Sequence, residues 1–419
     1  MWPTMIKQLK FFTLLMLLFL PDVQAQNSTN SPLSILGIGE IEIRDFGRTT
    51  GLGSVGIGLK SENFLNRRNP AALTGIDTLR FILDVSAGMK LSEFLTSSKK
   101  GRSIDFTFKS LAIGVRLSKK LTSSVGLSPY SNVGYQLSSQ QEILGTTETV
   151  NAVYSGSGGV NNFYWANAIE LFRGFSLGVT SSYLFGNFTH NAEENIITIK
   201  DTYQVGKLYF DFGAQYSQWF GKHTNITVGG VYGYKSKMSI EHKRMITSNY
   251  SIEQNQRKPD IKSYIPESYG AGFSLLRNKN EAEWIFAADY YYQNWSADRF
   301  RYKSLTYSDS HTYSVGLQLT PNKYRWENFI QSMRFHIGAC YNQSYLKVNG
   351  YQMEDYSVSL GVGLPFYTYR SGGSPSYVNV AVNIGESGTG QRGGITERYV
   401  LFSVNLSLIE RWTSKRKFD

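Results

Sequence analysis

The sequence predicts an all-β fold: a transmembrane antiparallel β-barrel of about fourteen strands with an N-terminal hatch inside its lumen. Three observations predict it. Apolar and polar residues alternate through most of the chain, a secretory signal precedes the alternating part, and short connections alternate with long ones. Repeated alternation without an apolar run long enough for a membrane helix is typical of barrels that cross an outer membrane.

The alternation is clearest over residues 399–409. One face carries Val400, Phe402, Val404, Leu406 and Leu408, and the opposite face includes Ser403, Asn405 and Ser407. A side-chain period of two is a strand signal. Near residues 80–90, Arg80, Asp84 and Lys90 share one face. That face is predicted to point into the lumen, because a charge at the middle of the bilayer costs about 2–4 kcal/mol.

Residues 1–25 are predicted to be a signal peptide. Lys7 and Lys10 form its basic start, residues 11–20 its apolar stretch, and residues 23–25 offer small side chains at the cleavage position. The apolar stretch is too short to span a bilayer, which takes about 20 residues. The chain has one cysteine, Cys340, so an internal disulfide is excluded.

The remaining chain divides by pattern into two regions. Residues 26–78 are rich in Gly, Asn and Ser and lack sustained alternation, which predicts a hatch, or plug; residues 79–419 are predicted to form the barrel and a short basic C-terminal tail. The strands are expected near residues 79–91, 103–117, 123–138, 160–171, 174–187, 200–218, 224–240, 262–276, 282–294, 308–320, 332–347, 354–366, 376–386 and 397–409. An even number is what a bacterial single-chain barrel requires.

The connections predict the orientation. Residues 118–121, 172–174 and 220–223 form short connections, whereas residues 141–159, 187–201, 237–260 and 293–307 form long ones. Barrels of the Gram-negative outer membrane have short periplasmic turns and long extracellular loops. We therefore expect both termini in the periplasm.

Composition argues against several classes of function. The net charge of +11 is spread over turns and no nucleic-acid-binding module is visible, so contact with outer-membrane lipids and lipopolysaccharide is the simpler expectation. Catalysis is not expected, because the five histidines fall in no catalytic spacing and no Gly-x-Ser-x-Gly elbow is present. No metal and no cofactor are predicted.

Two stretches of the first region carry a family resemblance: Gly47-Arg48-Thr-Thr-Gly51-Leu-Gly53 and Asn66-Arg-Arg-Asn69-Pro70-Ala71-Ala-Leu73. Together with residues 265–272 and 284–296, in this order and spacing, they resemble the FadL-type family of long-chain fatty-acid transporters and toluene-type hydrocarbon channels. The end of the chain is similar to the Bacteroidetes branch of that family. The resemblance covers essentially the whole exported chain.

The resemblance implies passive uptake of hydrophobic small molecules, such as long-chain fatty acids, through a plugged barrel with lateral exit through its wall. Gating residues are then expected among Gly47, Arg48, Gly51, Gly53, Asn69, Pro70 and Ala71. The alternative for the last three is structural, with Asn69 capping a short helix that begins at Pro70. Candidates for binding an anionic head group are Arg48, Arg67, Arg68 and Arg334, each of which could instead bond a lumen carboxylate such as Asp84 or Asp289.

A second interpretation keeps the barrel and removes the transport. A barrel of this family could act as a partner or scaffold subunit of a protein secretion or outer-membrane assembly machine. Extracellular loops would then bind another protein, and residues 237–260 are long and charged enough for that purpose.

Overall fold

The computed structural model describes residues 30–44, 47–78, 80–96, 99–142, 149–194, 196–248, 251–279, 281–296, 305–322, 329–348, 350–368, 374–389 and 394–411. The predicted signal peptide and the basic tail lie outside these residues. Within them, no helix is long and apolar enough to cross a membrane.

The wall is one antiparallel sheet that closes where its last strand pairs with its first wall strand. Its strands are β2 (Arg80–Leu95), β3 (Lys100–Arg116), β4 (Leu121–Glu142), β5 (Thr149–Phe172), β6 (Phe175–Glu194), β7 (Ile197–Phe220), β8 (Thr224–Gly233), β9 (Ser236–Ser248), β10 (Ile252–Ile265), β11 (Glu267–Lys279), β12 (Ala282–Asn294), β13 (Leu305–Tyr307), β14 (Ser310–Thr320), β15 (Arg334–Val348), β16 (Tyr351–Phe366), β17 (Ser376–Gly388) and β18 (Thr396–Arg411). β8 continues into β9, β10 into β11 and β13 into β14, so the wall has the fourteen crossings that were predicted. A two-residue strand, β1 (Glu40–Ile41), lies inside, and a one-turn helix, α1 (Phe329–Ser332), precedes β15.

The predicted faces are confirmed. In β18, Phe402, Val404 and Leu406 are exposed on the outside, whereas Ser403, Asn405 and Ser407 are buried in the lumen. In β15, Phe335 and Ile337 point outward while Arg334 and His336 are buried inside. An outer belt of exposed apolar side chains is what a barrel needs to face lipid.

Three segments that were predicted to be extracellular loops are largely strand, so these predictions are wrong. β5 begins at Thr149, β6 and β7 extend to Glu194 and Ile197, and β9 and β10 occupy most of residues 237–260. Beyond the membrane both faces of a strand meet water or polar neighbours, so these segments need ladder hydrogen bonds but no apolar alternation. The period-two signal therefore ends before the strands do.

The wall is not paired everywhere. β3 pairs with β2 along its whole length, but with β4 only between Leu111–Arg116 and Leu127–Thr122. β4 stays paired with β5 along its whole length, with a register shift between Pro129 and Ser131. Proline lacks an N–H for the ladder and is confined to strand edges and bulges. We name the opening between residues 100–110 of β3 and residues 128–140 of β4 the wall gap; the structure describes residues 99–142 without a break.

Candidate functional site

The hatch fills the lumen in two tiers. The lower tier, residues 47–78, contains two 3₁₀ turns at Gly47–Leu52 and Pro70–Gly75. The upper tier, residues 30–44, contains a 3₁₀ turn at Pro32–Ile35 and strand β1. The hatch contacts the inner wall at two levels, where the sequence predicted one plug.

Carboxylates of the wall hold the lower tier by its backbone. Asp289 of β12 accepts hydrogen bonds on Oδ2 from the amides of Gly56 at 2.6 Å and Ile57 at 2.7 Å, and on Oδ1 from Gly58 at 3.4 Å. Asp84 of β2 accepts the amide of Leu65 at 3.1 Å. Successive amides around a carboxylate form an anion-binding concavity. The two acids that were candidates for pairing with arginine thus bind the hatch backbone.

Wall glycines let the hatch approach this closely. A Cβ at Gly338 of β15 would collide with the backbone of Leu52 and Gly53. Gly53 itself has a φ of 66°, a conformation that favours glycine. Other glycines whose Cβ would strike the hatch are Gly178, Gly213, Gly229, Gly272 and Gly316. The lower tier therefore packs backbone against backbone.

The structural interpretation of Asn69 is confirmed. Its side chain accepts the amide of Ala71 at 3.0 Å, and Pro70 opens the turn. The same side chain donates to the carbonyls of Ile57 at 2.9 Å and Ala214 at 3.1 Å. All seven gating candidates lie buried in the lower tier: Gly47, Arg48, Gly51, Gly53, Asn69, Pro70 and Ala71. Their gating role stays a prediction.

The upper tier lies between two apolar clusters. Ile35 and Ile38 pack against a cluster on the β4–β10 side of the wall that includes Val133, Leu184 and Ile240. Leu33, Leu36 and Ile41 pack against Trp295, Tyr345, Leu346 and Met353 on the opposite side. The upper tier consequently bridges the lumen.

Charged pairs join the upper tier to the wall. Glu40 lies 3.1 Å from Lys90 of β2, and Arg44 lies 2.7 Å from Asp211 of β7. These side chains are partly exposed, at 38% for Glu40 and 28% for Arg44. Their wall partners are less exposed, at 19% for Lys90 and 13% for Asp211, so water screens these pairs only in part.

Glu42 spans the wall gap. One carboxylate oxygen lies 2.6 Å from Nζ of Lys109 on β3, and the other accepts a hydrogen bond from Asn132 of β4 at 3.0 Å. The Glu42 amide also donates to the carbonyl of Tyr130 at 3.0 Å. β1 adds to the free edge of β4, with Glu40 opposite Asn132. A single hatch residue therefore contacts both edges of the opening.

A cavity of about 300 Å³ lies between the hatch and the wall and reaches the wall gap. Apolar and charged side chains of the wall and of both tiers line it. The charged ones include Glu40, Glu42, Arg44, Lys90, Lys109 and Asp355. Of the four head-group candidates, Arg67 and Arg68 line this cavity.

The other two head-group candidates lie elsewhere in the lumen. Arg48 donates to Gln318 at 2.7 Å and to Ser61 at 3.0 Å, and the guanidinium of Arg334 lies 3.6 Å from the centre of the Tyr377 ring. Burial and the neighbouring Arg334 lower the pKa of Arg48 to about 9. The structure therefore separates the four arginines into two pairs.

Sequence reasoning missed Lys109, although a signal was present. Phe106 and Phe108 point outward, and so do Leu111 and Ile113, so the outward phase shifts by one residue between them. The shift is a β-bulge: Ser86 and Ala87 of β2 pair with Ser110 and Phe108, which leaves Lys109 as the extra residue. Bulges re-aim side chains.

The described residues lack the group of side chains that a metal ion would need. They contain no group of three His, Cys, Asp or Glu side chains that could hold a metal ion. His336, the histidine on the lumen face of β15, is buried and lies 3.0 Å from Gln318. Its burial and this hydrogen bond indicate a structural role in the packed lumen.

Comparisons with known proteins agree with this fold. The family model described as BamG matches residues 5–419. Three solved structures are similar over most of the chain: a FadL homologue of Pseudomonas aeruginosa (12% identity, TM-score 0.57, covering 88% of this chain and 98% of that one), the toluene transporter TbuX of Ralstonia pickettii (13%, 0.55, 88% and 99%) and the toluene transporter TodX of P. putida (13%, 0.58, 89% and 100%). At these identities the likeness shows the fold alone.

One curated protein also matches, a bifunctional methyltransferase/endonuclease of Picrophilus torridus, at 26% identity over 182 residues. The match covers 42% of this chain and 60% of that protein, so the chain spans less than two thirds of its length. The solved structures named above are described as transporters or their homologue.

Proposed function

We propose that this chain, which belongs to the BamG family, carries hydrophobic or amphipathic small molecules across the outer membrane, through the lumen and sideways through the wall gap. The observation that carries the proposal is the missing ladder between the upper halves of β3 and β4. Unpaired strand edges at membrane depth are costly, because lipid offers them no hydrogen bonds. The opening is therefore better explained by a function, such as passage of a ligand, than by the stability of the wall.

The surroundings of the wall gap support passage into lipid. Ile104, Phe106 and Phe108 are exposed on the outer face of β3 beside the opening. The cavity reaches the opening from the lumen side, and Lys109 and Asn132 belong to its lining. A molecule leaving the cavity there would pass from a mixed lining to an apolar outer wall.

The volume and the lining of the cavity indicate the class of ligand that it suits. Its volume of about 300 Å³ is at the lower end of ligand pockets, which measure roughly 300–1,000 Å³. Its many charged residues favour a ligand with a polar or ionised group over a pure hydrocarbon. Long-chain fatty acids have that character, and the plug would prevent water-soluble solutes from leaking through.

A reversible disulfide across β1 and β4 tests the lateral route. Ile41 lies opposite Ser131, so Ile41→Cys with Ser131→Cys, in a Cys340→Ser background, would join the hatch to the edge of the wall gap. We expect the oxidised protein in liposomes to lose oleate uptake and to recover it on reduction. The control pair Val380→Cys and Val404→Cys joins β17 to β18 on the outer face, away from the gap. Equal uptake by the oxidised and reduced β1–β4 variant would refute lateral exit.

A second candidate is a partner or scaffold subunit of a secretion or outer-membrane assembly machine. The matching family model is that of BamG, whereas the likeness to the hydrocarbon transporters is one of fold. The packed upper tier is compatible with it, and so are the strand extensions of β5, β6, β7, β9 and β10, which another protein could contact. Purification from detergent-extracted native membranes distinguishes the candidates: a stoichiometric protein partner without any uptake activity favours the subunit, and uptake by the isolated chain favours transport.

A further inference from the structure

We propose that Lys109 and Asn132, with Arg67 beside them, form an anion-binding site in the wall gap that Glu42 fills as an internal ligand. The anionic head group of a lipid-like molecule, a carboxylate or a phosphate, binds there by displacing Glu42, and this releases β1 from the wall gap. The inference rests on the proposed transport function and adds to it the ligand's head group and the event that opens the exit.

The geometry around Glu42 is that of a bound anion. Lys109 supplies a charged donor at 2.6 Å and Asn132 a neutral donor at 3.0 Å, from the two opposite edges of the gap. Lys109 is the extra residue of the bulge in β3, and the bulge turns it inward. Charge-assisted hydrogen bonds of this kind suit carboxylates and phosphates alike.

Two guanidinium groups lie near Lys109 and Glu42. A small space beneath the gap is lined by Glu42, Arg44, Arg67 and Lys109. Arg44 has its own partner in Asp211, at 2.7 Å. The guanidinium of Arg67 lies 4.3 Å from the centre of the Tyr164 ring and donates to Ser128, at the lower end of the gap. A second anionic oxygen would therefore be stabilised beside Lys109.

A ligand can replace the contacts of Glu42, whereas the contacts of the lower tier are buried. The side chains of Glu42 and Lys109 are 23% and 16% exposed, and the cavity gives a ligand access to both. β1 has only two residues. By contrast, Asp289 holds three consecutive amides of the lower tier in a buried site. A ligand can take the place of Glu42 without disturbing the lower tier.

Displacement of Glu42 is coupled to opening because the same residue joins both edges. When its carboxylate leaves, the segment directly after β1 loses its contact with Lys109 of β3 and one of its contacts with β4. The ligand head group then lies at the opening, with its apolar tail able to leave past Phe106 and Phe108. Binding of the head group and opening of the exit are therefore one step.

Binding measurements on the purified full-length protein in detergent test this site. The probes are oleate, oleoyl lysophosphatidate and oleyl alcohol, which share a chain and differ in charge. Glu42→Gln removes the competing anion, so we expect it to tighten oleate and lysophosphatidate binding about tenfold and to leave oleyl alcohol unchanged. Lys109→Met should abolish the preference for the two anions over the alcohol. Glu193→Gln and Lys200→Met, both exposed on the extracellular extensions, are the matched controls.

The outcomes separate the proposals. Unchanged anion binding in Glu42→Gln, or an equal change for all three probes, overturns the internal-ligand site. Tightening for oleate alone, or for lysophosphatidate alone, identifies which anion the site takes. Absence of uptake by the wild-type protein in liposomes, with the Glu42→Gln effect present, refutes the transport function and leaves the binding site standing. The shift in gel mobility on heating shows that each variant is a folded barrel.

Discussion

Removing the Asp289 carboxylate should loosen the lower tier and leave the barrel intact. Asp289 accepts two short hydrogen bonds on one oxygen, from Gly56 at 2.6 Å and Ile57 at 2.7 Å. Hydrogen bonds to a charged group contribute about 1.5–3 kcal/mol each. The variant Asp289→Ala also removes the cost of burying a carboxylate, so we expect a net loss of about 3 kcal/mol for local opening. That loss corresponds to roughly hundredfold faster amide exchange.

Hydrogen exchange followed by mass spectrometry measures this directly. Exchange should accelerate in peptides covering residues 53–60, while peptides of β17 and β18 should not change. Asp289→Asn is the matched control: one carbonyl oxygen can still accept from Gly56 and Ile57, because both bonds share Oδ2, so its effect should be much smaller. Unchanged exchange at residues 53–60 in Asp289→Ala, or acceleration throughout the barrel, would refute the view that this carboxylate holds the hatch.

Three further outcomes follow from the packing of the lower tier. Gly338→Val places methyl groups against the backbone of Leu52 and Gly53, so it should raise the leakage of sucrose into liposomes. Gly101→Val is the control, because a Cβ there meets no atom within 4 Å and leakage should not rise. Equal leakage in the two variants would contradict the close packing of hatch and wall. Asn69→Ala should cost about 1 kcal/mol from the lost cap and more from the lost bonds to Ile57 and Ala214, visible as faster exchange at residues 70–76. Asn69→Asp keeps the cap oxygen and loses the amide donor, so its exchange should lie between those of wild type and Asn69→Ala. Exchange in Asn69→Asp equal to wild type would discount the amide's bonds. Ala71→Leu enlarges a fully buried side chain and should change oleate uptake; unchanged uptake by a folded variant would remove Ala71 from the gating candidates.

The barrel was predictable because its strands obey a rule that acts residue by residue. A side chain in the membrane faces either lipid or lumen, and a charge such as Asp84 or Lys90 marks the lumen side. Fourteen crossings followed from counting such segments. The rule has no force beyond the membrane, which is why residues 237–260 were predicted as a loop and prove to be mainly β9 and β10.

The site was less predictable because it depends on contacts across long sequence separations. Glu42 meets Lys109 across 67 positions, and Gly56 meets Asp289 across 233. Neither pair has a local signature. The exception is the phase shift between Phe108 and Leu111, which predicts a bulge and hence an additional inward residue. A break in the period of an otherwise alternating strand therefore indicates a side chain, here Lys109, that a bulge turns into the lumen.

The two tiers differ in the kind of interaction that holds them, and this difference assigns them different roles. The lower tier is held by buried backbone amides on carboxylates and by backbone contact with glycines, interactions that are lost together or not at all. The upper tier packs between two apolar clusters, but at the wall gap it is held by a two-residue strand and by the partly exposed contacts of Glu42, which a ligand's contacts can replace. A barrier that stops leakage needs the first kind of interaction, and a gate needs the second. Under the proposed function, the gate would lie beside the wall gap and above the barrier, and a ligand displacing Glu42 would leave sideways while the lower tier keeps its contacts with the wall.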